Sequence, residues 1–247
     1  MNNKKRIVII GATSVIAEQC ARQWAKQENA DFILIGRNLQ RLEVVAIDLQ
    51  VRNPLIEVKV LESNFLDPEA IQKLVNELFT GAPIDIALIA HGSLPDQANC
   101  QENLMLCKET LDINGVSPVL YAEAFAQHMS KINRGTIAII SSVAGDRGRK
   151  SNYVYGAAKG LVTRYAQGLQ HRFAGTKVHV ALIKPGPTAT PMTAGMKGKF
   201  ASAEEVACII TSGIDQKKVV IYTPRKWWLV MMVVRHLPNF IFNKLNI

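Results

Sequence analysis

The sequence predicts an α/β protein with a doubly wound parallel sheet. Three observations carry this prediction. Short runs rich in β-branched residues recur along the 247 residues, and longer segments with helical patterning separate them. Several of the short runs are apolar at nearly every position, which is typical of strands buried on both faces. Strands that alternate with helices favour one parallel sheet covered by helices on its two faces.

The alternation defines seven strands and six helices. The predicted strands are 7–10, 32–35, 57–60, 84–90, 136–141, 178–184 and 219–222. The predicted helices are 14–27, 39–51, 68–79, 114–131, 153–173 and 202–214. No linker or internal repeat interrupts them, so we expect one domain over residues 1–223. Residues 224–247 form a separate C-terminal tail that is apolar and basic.

Composition narrows the class of protein. An apolar fraction of 48% with 20% charged residues is ordinary for a globular protein with a core. None of the four cysteines forms a CxxC pair, so we expect reduced thiols, a cytoplasmic protein and no metal site. No run reaches the ~18 apolar residues of a membrane span. The net charge of +9 attracts phosphates and anionic lipid, but we expect no nucleic-acid partner.

The first strand is followed by Gly11, Thr13 and Ser14 and then by a helix. A strand–turn–helix at the start of such a sheet places backbone N–H groups beside a phosphate. Gly11 permits a tight turn. The two hydroxyls either bind phosphate oxygens or simply cap the helix.

The second strand ends at Gly36 and Arg37. A site for NAD usually has an acidic residue near this point to hold the ribose 2′-hydroxyl. Here a guanidinium is available instead, and it suits a 2′-phosphate through charge-assisted hydrogen bonds. The sequence therefore favours NADP(H), although Arg37 also fits a plain surface position beside a helix.

Four polar residues have the spacing of a catalytic group. Tyr155 and Lys159 are four residues apart and share one face of a helix. An ammonium near a phenol lowers its pKa, which is near ~10 in a free tyrosine. Ser142 lies 13 residues before Tyr155 at the end of a predicted strand, and Asn114 lies 28 residues before Ser142. Ligands bind beyond the carboxyl ends of the strands in such sheets, so these residues can meet in one crevice.

These motifs together resemble the short-chain dehydrogenase/reductase family over nearly the whole chain. The family's Asn, Ser, Tyr and Lys tetrad falls on Asn114, Ser142, Tyr155 and Lys159. The resemblance implies a Rossmann-type catalytic domain that binds NADP(H). It also implies cofactor contacts from the following residues: Gly11, Thr13, Ser14, Ile16, Arg37, Asn64, Phe65, Ala90, Gly92, Tyr155, Lys159, Pro185, Gly186, Thr188 and Thr190.

The resemblance also implies the role of each tetrad residue. Tyr155 donates a proton to the carbonyl oxygen, and Ser142 donates a hydrogen bond to the same atom. Lys159 lowers the pKa of Tyr155 and binds the nicotinamide ribose, while Asn114 holds a water next to Lys159. The chain departs from the family at Val15 and Ala17, which replace glycines, and at Ala90-His91-Gly92, where we expect His91 to be structural.

Within the family, the chain resembles the decaprenylphosphoryl-2-keto-ribose reductase group. The likeness lies in residues 11–14, 90–92 and 141–149 and in the basic aromatic tail. It implies a lipid-linked substrate, the 2-keto group of a polyprenyl-phosphate-linked pentose used for cell-envelope polysaccharide. Arg147 and Arg149 then lie near the substrate phosphate, or else in a solvated loop. The alternatives are a soluble reductase of a small ketone, sugar or 3-oxoacyl substrate, and a non-catalytic dinucleotide-sensing regulator.

Two surfaces have predicted partners. From residue 216 to 247 there are six Lys or Arg and no Asp or Glu, and Trp227 and Trp228 are adjacent. Tryptophan favours the membrane–water interface. We therefore expect the tail to dock on an anionic surface at the inner face of the cytoplasmic membrane, or else to pack against a neighbouring subunit. The family resemblance implies a homodimer or homotetramer formed through helices 114–131 and 153–173.

Overall fold

Seven parallel strands form the central sheet of the computed structural model, which describes residues 4–27, 30–195 and 198–245. The strands are β1 (Lys5–Ile10), β2 (Ala30–Gly36), β3 (Val58–Glu62), β4 (Ile86–Ile89), β5 (Gly135–Ile140), β6 (Val178–Pro185) and β9 (Val220–Thr223). Their order across the sheet is β3-β2-β1-β4-β5-β6-β9. The order reverses after β1, which is the arrangement of a doubly wound sheet. The predicted fold class is therefore confirmed.

Ten α-helices lie in the described part of the chain. They are α1 (Val15–Gln27), α2 (Leu39–Arg52), α3 (Pro68–Leu78), α4 (Gln97–Glu102), α5 (Leu104–Leu111), α6 (Ser117–Ile132), α7 (Tyr153–Arg172), α8 (Ala203–Asp215), α9 (Lys226–His236) and α10 (Asn239–Phe242). A short two-stranded ladder pairs β7 (Thr188–Ala189) with β8 (Ala201–Ser202). Side-chain caps fix several helix starts, as where Asn38 accepts from the Arg41 N–H and Asp67 accepts from the Glu69 N–H.

The core consists of two apolar layers, one on each face of the sheet. Helices α1, α2 and α8 cover one face, where Trp24, Leu42 and Ile210 are fully buried. Helices α3, α6 and α7 cover the other face, where Phe125 and Val162 are fully buried. Since β1, β4, β5 and β6 are covered on both sides, their carboxyl ends are held rigidly at one edge of the sheet.

The segment before Asn114 differs from the prediction. A helix was expected to begin at Asn114, but α5 already begins at Leu104 and continues through a π-helical turn (Asp112–Val116) into α6. The side chains of Leu104 and Met105 are exposed, so α5 lacks the apolar stripe by which a surface helix is recognised in a sequence. Asn114 therefore lies inside the π-helical turn, a geometry that is frequent at functional sites.

The C-terminal tail forms α9 and α10. The two helices are separated by Leu237 and Pro238, and Pro238 directly precedes α10. Only Met231 is fully buried in α9, and most of its other apolar side chains are exposed. Among the described helices, none is long and apolar enough to cross a membrane. The last two residues of the tail, 246 and 247, lie outside the described residues.

Candidate active site

A cavity of about 520 Å³ opens at the carboxyl ends of β4, β5 and β6. All four predicted catalytic residues, Asn114, Ser142, Tyr155 and Lys159, line it. They come from three elements: the π-helical turn, the loop after β5 and the first turns of α7. The fold thus brings the whole predicted tetrad into one crevice.

Tyr155 and Lys159 lie on the first turns of α7. The Lys159 Nζ is 5.8 Å from the centroid of the Tyr155 ring and donates to the Ile140 carbonyl at 3.1 Å. Burial lowers the pKa of Lys159 to about 8. Both side chains are therefore held in an environment that disfavours charge.

Burial also raises the pKa of the Tyr155 phenol, and this is the largest effect on that group. Two neighbours oppose it by lowering the pKa: a hydrogen bond with Ser142 and the positive charge of Arg149. The cation that lowers this pKa is Arg149, and the expected effect of Lys159 on Tyr155 stays a prediction. The phenol is consequently protonated at neutral pH.

Ser142 follows β5 and begins a 3₁₀ turn (Val143–Gly145). Its Oγ accepts from the Ala144 N–H at 3.1 Å, which fixes the hydroxyl at the cavity wall. Close packing holds this turn against α7, since a Cβ on Gly145 would lie 2.6 Å from the Lys159 carbonyl. The serine and the helix that carries Tyr155 are thus positioned together.

The side-chain amide of Asn114 is bonded at both ends. Its Oδ1 accepts from the Ser93 N–H at 2.9 Å, and its Nδ2 donates to the Thr110 carbonyl at 3.0 Å. A Cβ on Gly92 would lie 2.6 Å from the Asn114 Oδ1 and 3.6 Å from the Lys159 Nζ. Only glycine permits the chain to pass so close to these two groups.

A second cavity of about 340 Å³ adjoins the first around the N-terminus of α1. Gly11 has a φ of +80°, and a Cβ there would lie 2.6 Å from the backbone nitrogen of His91. This position therefore requires glycine. Among the described residues, the cavity wall carries two guanidinium side chains, Arg37 and Arg41, and no carboxylate. The wall suits a ligand with phosphate groups.

Between them, the two cavities are lined by every predicted cofactor residue except one. Asn64 lines neither, because its Oδ1 accepts from the Leu66 N–H at 3.0 Å and closes a local turn. Arg41 was missed, although it follows Arg37 by four residues and could have been recognised from that spacing. The apolar wall of the first cavity was also missed; it includes Leu94, Met192 and Phe200.

His91 lies between the two cavities but is structural, as expected. It is buried, its Nε2 bonds the Ser117 Oγ at 2.8 Å, and its ring packs on Phe65. Since the Ser117 hydroxyl donates to the Phe65 carbonyl, the His91 Nε2 is the donor. Burial lowers the pKa of His91 to about 3, so the ring is neutral.

Arg147 lies neither beside a substrate phosphate nor in a solvated loop. It donates to the carbonyls of Val234 and Leu237, each at 2.6 Å, and lies 3.8 Å above the Phe242 ring. The residue therefore fastens the C-terminal tail to the loop that carries Ser142. Arg149 does line the first cavity.

Comparison with known proteins identifies the family. The family model for short chain dehydrogenases matches residues 5–199. An uncharacterised oxidoreductase of Mycobacterium tuberculosis is 31% identical over 242 residues, covering 97% of this chain and 96% of the relative. An uncharacterised oxidoreductase of Streptomyces coelicolor is 27% identical, covering 98% of this chain and 96% of the relative.

Solved structures show the same fold. A short-chain dehydrogenase from Sphingobium yanoikuyae in complex with NADPH superposes with a TM-score of 0.82 at 22% identity, covering 98% of this chain and 96% of that one. A short-chain dehydrogenase from Burkholderia cenocepacia in complex with NADP gives a TM-score of 0.84 at 14% identity, covering 100% and 99%. With the family model matched over most of its length, the chain belongs to the short-chain dehydrogenase family of oxidoreductases.

Proposed function

We propose that the protein is an NADP(H)-dependent reductase that transfers hydride to a ketone. The observation that carries this proposal is the meeting of Tyr155, Ser142, Lys159 and Asn114 in one cavity, beside a second cavity with two arginines. The protonated phenol is the form of Tyr155 that donates a proton to a carbonyl oxygen.

The second cavity fits the cofactor. The glycine turn and the N-terminus of α1 supply backbone N–H groups for the pyrophosphate. Arg37 and Arg41 would bind the 2′-phosphate, since neither guanidinium has a hydrogen-bond or ion-pair partner among residues 4–27, 30–195 and 198–245. Two of the solved relatives hold NADPH or NADP, which supports the same choice.

The reaction follows from the positions of the chain's own groups. When bound, NADPH would supply the hydride for the carbonyl carbon. As negative charge develops on the carbonyl oxygen, Ser142 donates a hydrogen bond to it and Tyr155 transfers its phenolic proton. Lys159 would bind the nicotinamide ribose beside Tyr155, and Asn114 would hold a water that connects Lys159 to solvent.

The proposed substrate is the 2-keto group of a polyprenyl-phosphate-linked pentose. The mixed wall of the first cavity supports it: Leu94, Met192 and Phe200 are apolar, whereas Arg149 and Asn152 are polar. The tail supports it as well, because exposed apolar side chains of α9 and α10 stand beside Arg225, Lys226 and Arg235. We propose that this surface docks on an anionic membrane, where a lipid-linked substrate resides.

Assembly as a homodimer or homotetramer stays a prediction. Exposed apolar side chains on the two helical regions expected to pair, Val116 before α6 and Leu161 on α7, are consistent with it. The division into a catalytic domain over residues 1–223 and a tail over residues 224–247 is also a prediction.

The test of the proposed function is NADPH oxidation with a panel of ketones. The panel contains the 2-keto pentose linked to a short polyprenyl phosphate, free keto sugars, small ketones and a 3-oxoacyl thioester. Turnover fastest with the lipid-linked sugar supports the full proposal. Turnover only with a small ketone or the thioester would leave a reductase and remove the lipid-linked substrate. Cofactor binding with no turnover on any ketone would favour a dinucleotide-sensing regulator.

A further inference from the structure

Arg149 is a half-buried cation whose side chain has no partner in the part of the chain that the structure describes. It lies on the loop between Ser142 and α7, and its backbone carbonyl accepts from the Asn152 N–H at 3.1 Å. Its guanidinium, however, makes no hydrogen bond, ion pair or ring contact with any of residues 4–27, 30–195 and 198–245. Burial lowers the pKa of Arg149. A guanidinium carries five N–H donors, and burying such a group without an acceptor costs free energy.

The described surroundings of Arg149 offer no free carboxylate. Among the described residues, the wall of the first cavity contains two cations, Arg149 and Lys159, and no carboxylate. Lys159 already donates to the Ile140 carbonyl. The nearest acid along the chain, Asp146, is buried and bonded to both Lys184 and Tyr222. The Arg149 guanidinium therefore lines the cavity that a substrate would enter, without a carboxylate beside it on the described wall.

The cofactor does not account for this charge. Arg37 and Arg41 line the second cavity, around the turn expected to hold the cofactor phosphates, whereas Arg149 lines only the first. Its neighbour Arg147 is fully engaged with the tail. Arg149 is thus the cation that stands on the substrate side of Tyr155, close enough for its charge to act on the phenol.

A second polar atom on the same wall lacks a partner. The Asn152 Oδ1 is buried and accepts no hydrogen bond from the described residues. Asn152 lines the first cavity together with Arg149 and Ser151. An amide oxygen in this position is an acceptor for a hydroxyl group, and buried polar atoms are normally satisfied.

We propose that Arg149 and Asn152 form a substrate subsite that binds an anionic group through the guanidinium and a hydroxyl group through the amide oxygen. The substrate class is a hydroxylated ketone that carries a phosphate or carboxylate close to the reacting carbonyl. Arg149 binds the anion, and Tyr155 protonates the carbonyl oxygen beside it. This inference rests on the proposed reductase function and adds the chemical class of the substrate to it.

Matched ketones test the subsite. NADPH oxidation is measured with a keto sugar and its phosphorylated form, and with a keto acid and its methyl ester. The variants are Arg149→Gln, Arg149→Lys and, as a control, Lys150→Gln, which changes an exposed neighbour. Losing a charge-assisted hydrogen bond lowers kcat/KM about tenfold to a hundredfold. We expect Arg149→Gln to show this loss for the anionic member of a pair and little loss for its neutral partner, with partial recovery in Arg149→Lys.

The pairs also distinguish the two anions, because a phosphate site favours the sugar phosphate and a carboxylate site favours the keto acid. An equal loss for neutral and anionic ketones, together with an altered pH profile, would mean that Arg149 acts only on the pKa of Tyr155. That result would overturn the subsite, as would a wild-type enzyme that prefers the neutral ketone.

Binding gives a readout that needs no turnover. Inorganic phosphate is titrated calorimetrically into the NADP-loaded protein, so that the cofactor phosphate sites are already filled. Saturable binding to the wild type that is lost in Arg149→Gln and kept in Lys150→Gln supports the subsite even if no ketone is reduced. Absence of binding to the wild type, or equal binding to Arg149→Gln, would overturn it. Failure of the proposed reductase appears separately, as the absence of NADPH oxidation with every ketone.

Discussion

The indole of Trp227, in the C-terminal tail, packs directly on Gly186, in the turn after β6. A methyl group on Gly186 would overlap the Trp227 ring, so the absence of a side chain at residue 186 is what lets α9 approach. The Gly186 N–H also donates to the Thr223 carbonyl at 2.9 Å, just before the tail. Because Gly186 lines the first cavity, the tail supports the wall of the candidate active site.

This contact predicts strong coupling between two substitutions. Gly186→Ala should lower the free energy of unfolding by about 1–3 kcal/mol, because the indole must move. In a Trp227→Ala background the same change should have a much smaller effect, giving a coupling energy above about 0.5 kcal/mol. Urea unfolding of the four proteins in this cycle measures the coupling. Additive effects would show that the two residues do not contact.

Prediction from sequence succeeded where a local pattern determined the structure. The β-branched runs marked all seven strands of the central sheet. The spacing from Asn114 to Lys159 marked four residues that line one cavity, because strand ends and helix turns fix those positions, and their catalytic roles stay predictions. It failed where contacts between distant residues decide the outcome. Nothing near Arg147 indicates partners at Val234 and Leu237, nearly 90 residues later. Helix α5 was missed for a different reason, because its exposed Leu104 and Met105 leave it without an apolar stripe.

The lowered pKa of Lys159 should make the free energy of unfolding depend on pH. Its folded-state pKa of about 8 lies below its ordinary value of 10.5 because of burial. Between these values the unfolded chain binds more protons than the folded one, so the free energy of unfolding rises with pH in this window. Lys159→Met lacks this contribution. We expect the wild type to gain up to about 3 kcal/mol relative to the variant from pH 8 to pH 10.5, in the absence of cofactor.

Urea unfolding of both proteins across this range measures the difference. Comparing the two cancels the titration of the other lysines. Stability curves that stay parallel from pH 8 to pH 10.5 would show that the pKa of Lys159 is not lowered in the folded protein.

The positions of Arg37 and Arg41 lead us to expect a preference for NADPH over NADH. Both line the second cavity, where a 2′-phosphate would lie, so NADPH should bind more tightly than NADH. Arg37→Ala should weaken NADPH binding by about tenfold to a hundredfold, leave NADH binding nearly unchanged, and lose further affinity when combined with Arg41→Ala. Fluorescence titration with each cofactor checks this, with Lys73→Ala on α3 as the control. Equal wild-type affinity for the two cofactors would refute it.

We expect the C-terminal tail to bind anionic membranes through its exposed apolar and basic side chains. Trp228 is 55% exposed and Phe240 is 71% exposed, and Arg225, Lys226 and Arg235 are exposed near them. Each basic residue near an anionic surface contributes about 1 kcal/mol. We expect co-sedimentation with phosphatidylglycerol vesicles at low salt and little with phosphatidylcholine vesicles.

Substitution of the exposed face is the appropriate test, since removal of the tail would also remove Trp227 from Gly186. Trp228→Ser with Val233→Ser should reduce binding to the anionic vesicles, whereas Leu55→Ser, which changes another exposed apolar residue, should not. Equal binding by all three proteins would contradict membrane docking through α9.

The role of Tyr155 as the proton donor of a reductase can be tested with a single substitution. NADPH oxidation and NADPH binding are measured together for the wild type, Tyr155→Phe and, as a control, Tyr153→Phe, which changes an exposed tyrosine two residues earlier. A positioned acid contributes about 10²–10⁴-fold to the rate. We predict that Tyr155→Phe loses turnover by at least the lower of these factors and still binds NADPH, while Tyr153→Phe behaves like the wild type. Near-normal turnover in Tyr155→Phe would contradict the account.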